Sequence, residues 1–449
     1  MALIYSAHWL LPITSPPIRD AAIAIQSDTI LAIGPRAEIA DRFPDAPVSH
    51  FEDAVIMPGL VNAHSHLELT VMRGFLENEE GDFFAWLRKL TVARMAMTAD
   101  DLLVSSICGA IEAARAGITC VADSSSSATQ SMRALKEVGL RGIVYQESFG
   151  PDANLAEENV AKLRDQVREM RALETDQVRA GVSPHAPYTV SALQIELISK
   201  LAAEEKLPVM MHTAESESER VFLIEGTGPF ADGLKKRGIQ WQAPGISTVR
   251  YLHERGLLET KPLLAHCINV DEEDLRLIKA AGAGVAHCPK SNTKLRHGRA
   301  PFRKFLQTGI NAGLGTDSVA SNNNCDILEE ARFATLMARL DRDVDPIPAQ
   351  EALFAATLGG ARALGLDHRI GALEPDKQAD IAIVGVAGVH QEPVSNPIDA
   401  LIFSSSGRDV VLTVVAGKVV YRRDDGVTAS EQELRNRLRE VRTRLELCG

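Results

Sequence analysis

Histidines carry most of the chemistry that can be read in this sequence. The pair His64 and His66 stands in GLVNAHSHLEL. Side chains alternate along a strand, so residues two apart point the same way, and both imidazoles can chelate one metal ion. An isolated match of this kind is equally well explained by strand-end histidines bonded to backbone. His212 closes the apolar run PVMMH and can supply a third neutral nitrogen. Glu215 follows three residues later, outside the run, better placed to carry a proton over a metal than to bind it. Its structural alternative is an acid at the start of the next helix, where the dipole favours negative charge. His266 ends the run in PLLAHCINV, and alone it reads as a satisfied core residue. Asp317, in LGTDSVASNN, can complete a ligand set and accept a proton from water, or cap the following helix. Each bland alternative holds singly, but together they require several independent coincidences. A site of histidines with one carboxylate suits one divalent metal, zinc first, with Fe2+ or Mn2+ also compatible. Such a metal lowers the pKa of its bound water to near neutral and supplies hydroxide. Glu215 would then shuttle the proton, and His266 would steer the hydroxide or polarise the leaving centre.

These residues need elements that bring them together. Eight candidate strands are Val55–His64, Ile118–Asp123, Gly142–Glu147, Ala180–His185, Pro208–His212, Leu263–His266, Gly284–His287 and Ala312–Asp317. Five end in His and the last ends in Asp. Amphipathic stretches such as DLLVSSICGAIEAARAG and LAEENVAKLRDQVREMRAL lie between them. The pattern predicts an α/β fold, a (β/α)8 TIM-type barrel, whose strand ends meet at one mouth. Short apolar runs broken by Gly, Pro and Asp recur at both ends of the chain and predict antiparallel strands. The expected organisation is a small β-sandwich-like domain from residues 1–57 and 368–425, a barrel over 58–367, and a terminal helix over 426–449.

Composition excludes several roles. The chain has 449 residues and a net charge of −12. That acidity argues against a nucleic-acid binder, which needs a basic face. No apolar run is long enough to span a bilayer, and the first residues lack the basic start of a signal peptide. The six cysteines are scattered without a CxxC pair, which predicts reduced thiols in a cytoplasmic protein.

The segments PGLVNAHSHLEL, SPHAPYT, HTAE, AHCINV, HCPKSNTKL and GTDSVASNNN occur in the order of a known family. The chain resembles the amidohydrolase superfamily, in its branch of nucleoside and heterocycle deaminases. The resemblance implies that His64, His66, His212 and Asp317 are metal ligands, and that Glu215 protonates the substrate ring. It places His266 beside the nucleophilic water and His185 against a nucleoside. In this family hydroxide attacks the amine-bearing ring carbon and ammonia leaves; a homodimer is also suggested. HLEL and the long insert after His212 look like aminodeoxyfutalosine deaminases of menaquinone synthesis. Methylthioadenosine/S-adenosylhomocysteine deaminases are the alternative, with enzymes acting on guanine, cytosine or s-triazines further off. A metal-free barrel serving as a binding module disagrees with the complete ligand set. One departure concerns ribose. The methylthioadenosine enzymes carry a ribose-binding glutamate shortly after the tryptophan that matches Trp86, and here no acid follows before Asp100. Glu68 is the substitute, with a structural carboxylate as its alternative. Asn292, in Lys290-Ser291-Asn292, is a substrate contact or a loop former. A 5′ carboxylate would need a cation, for which Arg88, Lys89, Arg220, Lys290 and Arg296 are candidates beside their reading as surface charge. Cys267 and Cys288 neighbour site histidines out of phase and should pack away from any metal.

Overall fold

The computed structural model describes residues 1–340, 345–426 and 429–448. The first apolar runs form β1 (Leu3–Leu10), β2 (Ile18–Gln26), β3 (Thr29–Pro35) and β4 (Val48–Pro58). The middle of the chain gives β5 (Leu60–Ser65), β6 (Ile118–Ser125), β7 (Arg141–Ser148), β8 (Val178–Pro184), β9 (Met210–Thr213), β10 (Leu263–His266), β11 (Gly284–His287) and β12 (Asn311–Leu314). The last runs give β13 (Ile381–Gly385), β14 (Val410–Val415) and β15 (Lys418–Arg422).

Strands from both ends share one sheet in the order β15-β14-β13-β4-β1-β2-β3. The expected small β domain is thus joined in one continuous seven-stranded ladder. Its cause is β4, which pairs in parallel with β1 on one side and antiparallel with β13 on the other. Alternate residues such as Tyr5, Ile23, Ile56, Ile381 and Leu412 build an apolar core on one face.

The middle strands form two parallel four-stranded sheets, β5-β6-β7-β8 and β12-β11-β10-β9. Parallel bridges Val182–Val209 and Ser65–Asp317 link them at both seams. Helices lie between the strands, for example Ala156–Arg171 between β7 and β8 and Ala192–Glu205 between β8 and β9. This alternation is consistent with the expected barrel. The predicted strand Val55–His64 is in fact two strands split at Gly59. A Cβ at Gly59 would lie 2.1 Å from the Thr119 side chain, so only glycine lets β4 turn into β5 here. The predicted strand Ala312–Asp317 ends three residues early, and Asp317 adopts φ 56° in the turn beyond it. A buried ion pair ties the parallel sheet to the seven-stranded one: Arg141 Nε donates to Asp380 Oδ2 at 3.0 Å and Nη2 to Oδ1 at 3.1 Å.

Two further helices matter for the site. The helix Phe83–Met95 starts at Asp82, whose carboxylate accepts from the amides of Phe84 and Ala85. Val441 and Leu445 of the terminal helix Ala429–Cys448 belong to one apolar cluster with Trp86, Leu90 and Leu102. Of the predicted terminal helix, residues 427, 428 and 449 lie outside the described residues, as does the side chain of Cys448. The other five cysteines are free thiols. Among the described residues no helix is long and apolar enough to cross a membrane.

Candidate active site

His64, His66, His212 and Asp317 converge in the structure from β5, its C-terminal edge, β9 and the turn after β12. His66 Nε2 lies 3.2 Å from His212 Nε2, and Asp317 Oδ1 lies 3.3 Å from His64 Nε2 and 3.5 Å from His66 Nε2. His64 is fully buried, and neither of its ring nitrogens has a hydrogen-bond partner. Basic nitrogens facing one another in a buried site are costly unless a cation sits among them. Burial, followed by the charge of His64, holds His66 well below the ordinary imidazole range and His212 down to about 4. Both are therefore neutral near pH 7, the state a metal needs. Burial pushes the Asp317 carboxyl up, but the close approach of the His64 imidazole, then those of His266 and His66, outweighs it and holds Asp317 well below the usual carboxylate range. Three nitrogens and one carboxylate oxygen at this spacing fit one divalent cation.

Hidden partners hold the chain around His66 and the carboxylate of Asp317. Asp123, at the end of β6, accepts from Ser65 Oγ at 2.9 Å and from the Leu67 amide at 2.7 Å, clasping the chain on both sides of His66. Asp317 Oδ2 accepts from Ser291 Oγ at 2.5 Å and Ser321 Oγ at 3.1 Å, which leaves Oδ1 toward the histidines. Asn62 receives the Thr316 amide at 3.0 Å, and Asp317 N donates to His64 O at 2.9 Å. Gly315 permits this approach, since a Cβ there would stand 2.9 Å from the His64 backbone nitrogen. Non-glycine residues in the left-handed region cluster here: Ala214, His266, Cys267 and Asp317, with φ of 52°, 72°, 48° and 56°. Such conformations cost on the order of 1 kcal/mol each and persist where the surroundings over-determine them.

Glu215 is buried, with its Oε1 3.7 Å from His266 Nε2. It precedes the helix Glu217–Ile224 instead of starting it, and the Glu219 carboxylate binds the amides of Ala214 at 2.8 Å and Glu215 at 3.0 Å. Burial raises the Glu215 carboxyl, but His266 and then His297 outweigh it and bring it down to about 2. His266 Nδ1 donates to Asn292 Oδ1 at 2.9 Å, which leaves Nε2 facing the site.

Beyond this floor, a cavity of about 60 Å3 is lined by Trp86, Leu87, Leu90, Arg94, Glu147, His185 and Tyr188 together with the metal-site residues. His185 and Trp86 are thus among its lining residues. A larger chamber of about 530 Å3 lies outside it, sharing Leu87, Leu90, Arg94, His185 and Tyr188 and adding Phe84, Phe149, Phe230, Arg88 and Arg237. Aromatic rings dominate its wall: Tyr188 stacks on Phe230 at 3.9 Å, and Phe149 lies 4.6 Å from His185.

Two expected substrate contacts are corrected. Glu68 does not reach the cavity; its carboxylate accepts from Ser125 Oγ at 2.5 Å, Ser126 Oγ at 2.8 Å and the amides of Ser126 and Ser127. All of its acceptor capacity is turned to that loop. Asn292 does not line the cavity either, because its carbonyl is committed to His266. Among the candidate cations, Arg88 borders the outer chamber. Lys89 pairs with Glu79, Arg220 with Glu217 and Lys290 with Glu329, while Arg296 is exposed. Cys267 and Cys288 are buried and belong to none of the metal-capable clusters. Sequence reasoning missed Arg94, whose Nη1 lies 3.4 Å from Glu147 Oε2 and whose guanidinium covers the Phe149 ring at 5.3 Å. It also missed Glu147, although a carboxylate ending a predicted strand was the available signal. Burial pushes the Glu147 carboxyl up to about 8 against the pull of Arg94.

Parallel strands delivering three imidazoles and a carboxylate to one buried point define a hydrolase built for a divalent metal. The chain belongs to the amidohydrolase family, whose model matches residues 55–420. It is 32% identical over 419 residues to a 5-methylthioadenosine/S-adenosylhomocysteine deaminase of Pelotomaculum thermopropionicum, covering 93% of this chain and 92% of the relative. A deaminase of the same description from Symbiobacterium thermophilum is 30% identical, with 99% of each chain covered. A crystal structure of an adenosine deaminase from Xanthomonas campestris with bound zinc superposes with a TM-score of 0.87 at 28% identity, covering 99% of this chain and 98% of that one.

Proposed function

We propose that this enzyme deaminates an adenine nucleoside whose 5′ side carries an aromatic carboxylate, as 6-aminodeoxyfutalosine does. The observation that carries the reading is Arg94, the cation at the junction between the inner cavity and an outer chamber walled by aromatic rings. A guanidinium beside aromatic faces suits a planar carboxylate. In this reading residues 58–367 are the catalytic unit, and His64, His66, His212 and Asp317 hold one divalent metal, with zinc the best fit. When bound, that metal acts as a Lewis acid and makes the attacking water acidic near neutral pH.

The chain's own residues do the rest. Glu215 takes the proton of the water and delivers it to the ring nitrogen next to the amine-bearing carbon. His266, tied to Asn292 through Nδ1, presents Nε2 to the incoming oxygen. Asp317 accepts the second proton and passes it to the departing amine, so that water and the amine give ammonia and a ring carbonyl. Glu147, beside His185 and Arg94, is the cavity carboxyl left over for the ribose hydroxyls. Trp86 and His185 border the ring.

Methylthioadenosine and S-adenosylhomocysteine form the second reading, favoured by the names of relatives that cover nearly the whole chain. Ammonia release by zinc-loaded protein tests both, with 6-aminodeoxyfutalosine, S-adenosylhomocysteine, methylthioadenosine, adenosine and guanine as substrates. The proposal expects the highest kcat/KM on 6-aminodeoxyfutalosine. Preference for methylthioadenosine or S-adenosylhomocysteine would move the enzyme to the second reading, and turnover of guanine alone would overturn both.

A further inference from the structure

We infer that His297 is a positioning residue that holds the Glu215 carboxylate in place through its Oε1 oxygen. The inference rests on the reading of Glu215 as proton carrier. His297 Nδ1 lies 3.5 Å from Glu215 Oε1, the same oxygen that faces His266 Nε2 at 3.7 Å. Two imidazoles thus flank Oε1. The contact is long for a hydrogen bond, as catalytic contacts commonly are before substrate binds.

The His297 side chain is 5% exposed, and neither ring nitrogen has another hydrogen-bond partner. A polar ring buried without a partner costs about 1–3 kcal/mol, so packing alone would favour an apolar ring at this position. Its other neighbour is Phe83, in edge contact at 4.4 Å. The local chain explains how it arrives. The His297 amide donates to Asn292 O at 2.9 Å after a left-handed turn at Arg296, φ 59°. One short segment therefore carries Asn292 to His266 and His297 to Glu215, coupling the placement of both proton-handling groups.

Two variants of the zinc-loaded enzyme separate this role from packing. His297→Asn keeps an N–H donor near the position of Nδ1, whereas His297→Phe keeps a ring and removes the donor. The Phe variant should retain its zinc and its KM and lose about 10- to 100-fold in kcat, the worth of one hydrogen bond to a charged group. The Asn variant should recover most of that loss. Crystal structures of the two zinc-loaded variants give a reading independent of substrate: the Glu215 carboxylate should turn away in the Phe variant and stay in the Asn variant. Full activity in the Phe variant, equal impairment of both variants, or an unmoved carboxylate would overturn the inference. A fully active Glu215→Gln enzyme would instead remove the reading beneath it, so the two failures are distinguishable.

Discussion

At the floor of the pocket most of the reactive groups are positioned by buried hydrogen-bonding partners. Asp123 clasps the chain around His66, Ser291 and Ser321 fix Asp317, Asn292 fixes His266, and Glu219 fixes the backbone of Glu215. The mouth is built otherwise. It consists of one face of the helix Phe83–Met95 and the rings of Tyr188, Phe149 and Phe230, and its main polar contact is Arg94 with Glu147. Several large apolar side chains of that helix, Phe84, Val92 and Met95, are exposed. The contrast assigns different work to the two regions. In the proposed function the floor needs sub-ångström placement, which its hydrogen bonds provide, and the mouth would select by shape, ring stacking and one charge.

Variants at the floor should be the most damaging. Glu215→Gln should lower kcat by roughly 10²–10⁴-fold with metal content unchanged, since proton transfer alone is removed. Loss of metal in that variant would make Glu215 a ligand and redraw the floor. Stripping the metal with a chelator should lower the melting temperature, because an ion held at a hundred times its Kd contributes about 2.7 kcal/mol. An unchanged melting temperature would mean that the four-residue cluster holds no metal in the folded state. Asp123→Ala should weaken zinc by about 10- to 100-fold in a competition titration, as loss of an orienting partner does, while spectroscopic secondary structure is kept. The smallest effect on turnover is expected at Glu68. Glu68→Ala should leave KM near wild type and cost about 1–3 kcal/mol in denaturant unfolding, because its partners are the serines of one loop. A raised KM with unchanged stability would return Glu68 to the mouth.

The sequence was most informative where backbone geometry dictates side-chain direction. His64 and His66 stand two apart at a strand end, and the strand period predicts their convergence. His212 and His266 follow apolar runs that could be little else than buried strands. Asp317 was identifiable as a residue but not in its conformation, because the turn after β12 depends on Asn62 and His64, some 250 positions away in sequence by the span of the Asn62–Thr316 bond. Glu68 and Asn292 were misplaced for one reason: a polar residue beside a motif has no periodicity to say whether it faces the cavity or the scaffold. Arg94 was invisible because it is one of several cations on an amphipathic helix, and only packing shows which one turns inward. The single sheet formed by both ends was foreseeable in texture, but the parallel pairing of β1 with β4 left no mark in the residue pattern.

In the proposed function the floor performs the reaction and the mouth chooses the substrate, and the two regions meet at Arg94. The most direct test is kcat/KM for wild type and Arg94→Met on two substrates that share the adenine ring, 6-aminodeoxyfutalosine and methylthioadenosine. The variant should lose about 10- to 100-fold on the carboxylate-bearing substrate and change little on the other, the worth of one charge-assisted hydrogen bond. An equal loss on both would place Arg94 in the chemistry of the floor, and no loss on either would contradict its role in choosing the substrate.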